Sequence, residues 1–285
     1  MMLEVVRGIH WIAGGEAVRR LDGIGKQDIA PLPAGLEAEV ALIRTAGEKV
    51  VLKIWNRQSK PDIGFQYRLL KALHDRGMSV SKPLAWGVDA DGHQALLTSY
   101  DGAPVHEADT DKLRRIAGML LDVHRCRFDE PELPRHDFVS YFFPRIDAYP
   151  DLAAELARLV EIARPRQNTF IHGDYNFNNI LEAEDGRLTV IDWTNGQLGD
   201  ARYDIGWSVF LADLYTDDEL ASAYRSAFLS GGGYAEEELE PFEAIALIRW
   251  LLLDRTAGMP RKETTDGRWR RIMERKQWID RLKRP

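Results

Sequence analysis

Residues 172–181 read HGDYNFNNIL, and the stretch that follows, NILEAEDGRLTVID, closes on a further aspartate, Asp192. Asp174, Asn179 and Asp192 each end a short side chain in oxygen. A carboxylate can accept the proton of a hydroxyl group. An amide oxygen and a second carboxylate can share Mg2+, a hard cation that takes oxygen ligands and keeps several waters. Three such groups converging on one place would make a metal-phosphate site.

The elements between them bear on whether they converge. Asp185-Gly186 is a strong hairpin signal between two β-rich runs. With those two residues as the turn, Glu184 pairs with Arg187. Continuing outward, Leu181 faces Val190, Ile180 faces Ile191 and Asn179 faces Asp192. Residues directly opposed in this way have Cβ atoms about 4.5–5.5 Å apart. A second unusual charge lies far upstream: Lys53 stands between Leu52 and Ile54 in VVLKIW, inside a run apolar on both faces.

The pattern along the chain divides near Gly102 to Pro104. Before that break, residues 1–25 read as helix followed by irregular chain. Short apolar runs separated by PAG and TAGE over 29–55 predict a meander of antiparallel strands. DIGFQYRLLKALHDRG then places Phe65, Leu69, Leu70 and Leu73 at helical spacing with Gly77 as the stop. HQALLTSYDGAP supplies another strand. Beyond the break the chain reads as mainly helical, with one strand pair near 180–192 as the exception. GGGY at 231–234 is a turn between helices, since no strand precedes it.

Composition bounds the partners. At 285 residues with 45% hydrophobic and 29% charged residues, the chain has ample material for a soluble core. A net charge of -7 argues against a protein that coats nucleic acid. The longest apolar run, AIALIRWLLL, is too short for a membrane span and contains Arg249, so it predicts a buried helix. The first residues lack the pattern of a signal peptide. Cys126 is the one cysteine, which excludes an intrachain disulfide and fits a reducing, cytoplasmic setting. It reads as a small buried hydrophobe, because His124, two positions away, cannot face it on a helix.

HGD followed by Asn five positions after the aspartate, then a hairpin ending in VIDW, resembles the aminoglycoside phosphotransferase family, which shares the two-lobed fold of protein kinases. The resemblance implies an α+β, bilobal protein-kinase-like fold. Its nucleotide-binding lobe, an antiparallel sheet with one helix, would span 1–101. A mainly helical lobe over 102–285 would carry a short metal-binding hairpin and the acceptor site. PLPAGLEAEV looks like the phosphate-covering loop, which assigns Gly35 to the nucleotide. VVLKIW looks like the lysine strand, so Lys53 would pair with the α and β phosphates of ATP. LLTSYDG looks like the hinge, with Ser99 and Tyr100 against the nucleotide. Asp174 would be the catalytic base, Asn179 and Asp192 would hold Mg2+, and His172 would order the loop. GDARYDIGW looks like the acidic segment that follows the metal aspartate, where Asp204 reads as a helix N-cap.

The sequence departs from the family pattern twice. Gln66 stands where a glutamate usually pairs with the lysine, so Lys53 is expected to be held by Gln66 or by Asp62, one helical turn away. The phosphate-covering loop has one glycine where protein kinases have three. Only WTNGQLGDARYD follows Asp192 before the next helix, leaving no room for the activation segment of a protein kinase. The expected acceptor is therefore a hydroxyl of a small molecule. Asp213, Asp217, Asp218 and Glu219 could favour a polyamine, and the rings of Trp207 and Trp250 a quaternary ammonium. Kinases of choline, homoserine or methylthioribose are the alternatives within the class. A nucleotide-binding scaffold that has lost catalysis is the alternative outside it, supported by Gln66 alone. The basic end, RWRRIMERKQWIDRLKRP, reads as a solvated amphipathic helix.

Overall fold

The computed structural model describes residues 2–33, 38–59, 61–105, 107–128, 132–259, 267–269 and 272. The chain forms two compact units, Met1–Pro104 with Leu181–Thr194, and Val105–Ile180 with Asn195–Pro285. Gly35 and most of the basic C-terminal segment lie outside the described residues.

The first unit is built on a six-stranded antiparallel sheet. Its strands are β1 (His10–Ala13), β2 (Ile29–Pro31), β3 (Ala38–Arg44), β4 (Lys49–Trp55), β5 (Pro83–Val88) and β6 (Gln94–Ser99), in the order β1-β5-β6-β4-β3-β2. Val50 and Leu52 of β4 are buried with Ile43, Ala85, Ala95 and Leu97, and that apolar face fixes the register. The helix α1 (Met2–Gly8) packs Val6 into the same core, and α2 (Gly15–Arg19) adds Ala17 and Val18. Where helix followed by irregular chain is expected, the four residues of β1 pair with β5 instead. β5 is a further strand beyond those expected.

The expected helix is α3 (Ile63–Asp75), followed by Gly77 at φ 76. Its N-cap is Asp62, whose carboxylate accepts the Phe65 N–H at 2.9 Å. A second, three-stranded sheet joins β7 (Ala103–Pro104), β9 (Ile180–Glu182) and β10 (Leu188–Val190) in the order β10-β9-β7. Residues 181–194 group with the first unit through this sheet and through a bridge between Val80 and Val190.

The hairpin turn differs from the expected one. Ala183 N–H donates to the Arg187 carbonyl, and Gly186 N–H donates to the Ala183 carbonyl, each at 2.9 Å. Three residues therefore fill the loop, and among them only Gly186, at φ 77, is left-handed. A two-residue turn would need positive φ at Asp185 as well, which costs more for a non-glycine residue. The register moves accordingly. Asn179 lies in a 3-10 turn before β9, and Asp192 lies beyond β10, so neither is a strand residue facing the other across the ladder.

The second unit is mainly helical: α4 (Thr110–Arg125), α5 (Phe138–Phe142), α6 (Pro150–Ala163), α7 (Ala201–Tyr215), α8 (Asp218–Gly232) and α9 (Glu236–Ala257). It also contains β8 (Thr169–Ile171), paired antiparallel with β11 (Gln197–Gly199), a pair absent from the sequence reading. The core joins Phe142, Leu152, Leu156, Leu159, Tyr203, Phe242, Ile245 and Ile248 from α5, α6, α7 and α9. Residues 242–250 of α9 are buried on every side, and that part of the helix is accordingly apolar nearly all round. Gly233, at φ 69, ends α8, so GGGY is the expected helix-to-helix turn. Cys126 is the C-cap residue of α4. Among the described residues no helix is long and apolar enough to cross a membrane.

Candidate active site

In the second unit, β8 leads into the HGD segment through the Ile171–Gln197 pair. His172 is fully buried, and its Nδ1 accepts the N–H of Asp174 at 3.2 Å. A backbone N–H only donates, so Nδ1 is the bare ring nitrogen and His172 serves to order the loop. Gly173 has φ 79, and a Cβ there would lie 2.7 Å from Cβ of Asn195, so no larger residue fits. Tyr175 is buried, donates its hydroxyl to the Ile116 carbonyl at 2.7 Å, and has its pKa pushed well up by that burial.

The next residues aim two amides at Asp174. Asn176 and Asn179 donate to its main-chain carbonyl at 3.0 and 2.9 Å, and more weakly to Oδ2 at 3.3 and 3.4 Å. With its NH2 group turned toward Asp174, Asn179 leaves its amide oxygen as the free end of the side chain.

Asp204 anchors this loop. It is fully buried in the first turn of α7, where its oxygens accept the N–H groups of His172 and Gly173 at 2.7 Å each. Nε2 of His124 lies 3.2 Å from its Oδ2. The N-cap of α7 is Asp200, whose Oδ1 accepts the Arg202 N–H at 2.9 Å. The expectation of Asp204 as a cap is thus corrected by four residues. The sequence carried no local sign of this, because an aspartate near a helix start reads equally well as a cap or as a first-turn residue.

Arg249 is a partner of Asp174 that was not expected from the sequence. Arg249 of α9 is 8% exposed; it donates to Gly173 O and to the Tyr203 hydroxyl at 2.9 Å each, and to Asp174 Oδ1 at 3.3 Å. Its guanidinium carbon lies 4.2 Å from the ring centroid of Trp207, a cation–π contact. Trp207 in turn donates its indole N–H to Asp174 Oδ1 at 2.9 Å. Burial pushes the Tyr203 hydroxyl above its ordinary range, so it remains a neutral acceptor. Burial alone would weaken the Arg249 charge, but Tyr203 and Asp174 outweigh it and hold the guanidinium's pKa up. The available signal was an arginine within an apolar run, since a buried charge needs partners.

The first unit carries the residues assigned to the nucleotide. Lys53 is half-buried on β4 and, among the described residues, makes no hydrogen bond or ion pair. It is not held as expected: Asp62 has its carboxylate at the α3 cap, and Gln66, 5% exposed on α3, makes no hydrogen bond to Lys53. The N–H groups of Ser99 and Tyr100 are taken by the carbonyls of Lys82 and Lys49, at 2.9 and 3.3 Å. The Ser99 hydroxyl donates to Asp101 Oδ2 at 2.8 Å. Among the described residues the Asp101 N–H has no acceptor, so the free hinge donor sits one residue past Tyr100. Arg187 pairs with the buried Asp101 carboxylate at 3.2 Å, joining the hairpin to the hinge. Asp192 has φ 64, a left-handed conformation that non-glycine residues hold at a cost and that gathers at functional sites. Its Oδ1 accepts the Thr194 hydroxyl at 2.9 Å.

The aromatic faces proposed for an acceptor are not open. Trp207 is 2% exposed with Arg249 over its ring, and Trp250 is 1% exposed against Trp269, with centroids 4.6 Å apart. Of the acidic groups, Asp217 caps α8 and Asp218 lies 3.8 Å from Arg268.

The sequence model of the phosphotransferase enzyme family, APH, matches residues 28–242. No curated protein matches the chain in sequence. Among solved structures it is similar to a thermostable mutant of aminoglycoside phosphotransferase APH(4)-Ia in ternary complex with ADP and hygromycin B, with TM-score 0.64, 13% identity, and 90% and 95% of the two chains covered. It is similar to the choline kinase LicA from Streptococcus pneumoniae, with TM-score 0.60, 16% identity, and 91% and 95% covered. It is also similar to a choline kinase from Cryptosporidium parvum Iowa II, with TM-score 0.63, 14% identity, and 99% and 96% covered. At these identities the likeness concerns the fold, an antiparallel sheet with a helical part as in protein-kinase-like small-molecule kinases.

Proposed function

The chain belongs to the phosphotransferase enzyme family, and from that premise we propose that it transfers the γ-phosphoryl group of ATP, with Mg2+, to a hydroxyl of a small molecule in the manner of aminoglycoside phosphotransferases. The observation that carries this reading is the state of Asp174. Its Oδ1 is occupied by Trp207 and Arg249, while Oδ2 has only two weak amide contacts. One carboxylate oxygen is thereby left to accept a hydroxyl proton.

In the proposed reaction Asp174 orients the acceptor hydroxyl and takes its proton. The acceptor oxygen forms a new P–O bond to the γ-phosphorus, the bond from that phosphorus to ADP breaks, and the proton passes to solvent. Because the transition state is loose, orientation matters more than base strength. Lys53, without a hydrogen bond or ion pair among the described residues, would neutralise nucleotide phosphates. The free amide oxygen of Asn179 and the Asp192 carboxylate are each the kind of oxygen donor that Mg2+ takes, and the ion when bound would offset phosphate charge. The Asp101 N–H is the hinge group available to a nucleotide base.

The acceptor is proposed as a polyhydroxylated or amino-sugar compound before choline, because Arg249 and Trp269 cover the rings of Trp207 and Trp250, the two the sequence offered to a quaternary ammonium. The test is Mg2+-dependent ADP release across aminoglycosides, choline, homoserine and methylthioribose, with Asp174→Ala as control. Acceptor-stimulated release that the control lacks supports the reading. MgATP binding without any turnover turns it toward a scaffold, and no MgATP binding overturns it.

A further inference from the structure

Arg249 poses a problem that packing alone does not solve. It lies in an otherwise apolar part of α9, its side chain is 10% exposed, and it reaches back 75 positions along the chain to Asp174. Exchanging a buried ion pair for apolar groups of similar volume is often neutral or stabilising. Stability is therefore a weak reason for an arginine here.

Its contacts suggest another reason. One face of the guanidinium lies on Trp207, and its edge meets both the main chain and the side chain of the HGD segment, at Gly173 O and Asp174 Oδ1. The Trp207 indole reaches the same Oδ1. Two donors on one oxygen, with the preceding carbonyl held by the same cation, define the direction of the other oxygen. A lysine in this place would supply the charge without the planar fork or the stacking surface.

We propose that Arg249 is a positioning residue for phosphoryl transfer: stacked on Trp207, it pins Asp174 Oδ1 so that Oδ2 meets the acceptor hydroxyl. The inference rests on the reading of Asp174 as the orienting group. Arg249 acts through Asp174 and need not touch the acceptor, so its removal should affect turnover and leave nucleotide binding alone.

The experiment compares full-length wild type, Arg249→Met, Arg249→Lys, Trp207→Phe and Asp174→Ala. Three quantities are measured: ADP release from MgATP with the responding acceptor, or with water if none responds; MgATP affinity; and the thermal midpoint. The Trp207 indole N–H resonance, assigned with Trp207→Phe, reports on the Asp174 contact without any turnover. Arg249→Met is expected to lower kcat about 10²-fold, the usual scale for a misplaced reacting group. MgATP affinity should stay unchanged while the Trp207 resonance shifts, and Arg249→Lys should recover part of kcat. Where Arg249→Met does not fold, Trp207→Phe carries the test, since it keeps the ring and loses the donor. Wild-type kcat in Arg249→Met or Trp207→Phe, with Asp174→Ala silent, overturns the inference and leaves the function standing. A loss of kcat that only tracks the thermal midpoint, with the resonance unmoved, also overturns it. Full turnover in Asp174→Ala overturns the function itself.

Discussion

The carboxylate of Asp204 holds the backbone of Gly173, its Oδ1 accepting the glycine N–H at 2.7 Å while Oδ2 accepts the preceding N–H of His172 at the same distance. A side chain on α7 thus sets the conformation of the segment that presents Asp174. Asn at position 204 would keep one carbonyl oxygen but turn an NH2 group toward a donor. Asp204→Asn is expected to cost about 1–3 kcal/mol for each orphaned donor and to lower turnover with it. Urea midpoints and ADP release measure both, and a variant of wild-type stability would refute the anchoring role.

Gly102 lies at φ 112 where the hinge crosses β9, and a Cβ there would come within 2.0 Å of the Glu182 carbonyl oxygen. Gly186, at φ 77 in the hairpin turn, has nothing within 4 Å. Gly186→Ala should cost only the dihedral strain, about 1–2 kcal/mol. Gly102→Ala adds a backbone collision to that strain and should be clearly the more destabilised of the two. Chemical denaturation of the pair checks the ranking.

Lys53 has no polar partner among the described residues, so its removal forfeits no hydrogen bond or ion pair with them. Lys53→Met is expected to hold or raise the thermal midpoint while turnover falls about 10²–10³-fold, the scale for loss of one preorganised charge-stabilising group. A variant equally active would remove Lys53 from the nucleotide site.

Asp151, in the first turn of α6, pairs through both oxygens with Arg255 near the end of α9, at 2.8 and 2.6 Å. The hydrogen bond from Arg255 lowers the Asp151 pKa. A depressed folded-state value gives stabilisation that is complete above the ordinary carboxylate pKa, near pH 4, and lost as pH falls through the folded value. The difference between wild type and Asp151→Asn should therefore be constant above about pH 5 and shrink below it. Both groups are about a third exposed, so it stays within about 1 kcal/mol. Urea titrations at several pH values measure it, and a difference that grows toward acid would be the wrong sign.

Much of this protein was determined locally. Periodicity in DIGFQYRLLKALHDRG is enough to specify α3 up to Gly77, and the apolar run around Ile245–Leu252 is enough for a buried helix. HGD with an asparagine five residues on, and VIDW after a hairpin, names a chemistry because each group's type and spacing lie within one segment. Tertiary structure decided the rest. β8 and β11 are three residues each, too short for any period, and exist because they pair with each other. The hairpin register followed from which turn residue could bear a positive φ. Most of all, a buried charge announces only that it needs a partner. Packing α9 against α7 chose Asp174 for Arg249, and folding β8 beside the start of α7 chose the HGD backbone for Asp204, because hydrogen bonds between residues 31 to 75 positions apart depend on where the helices lie in space.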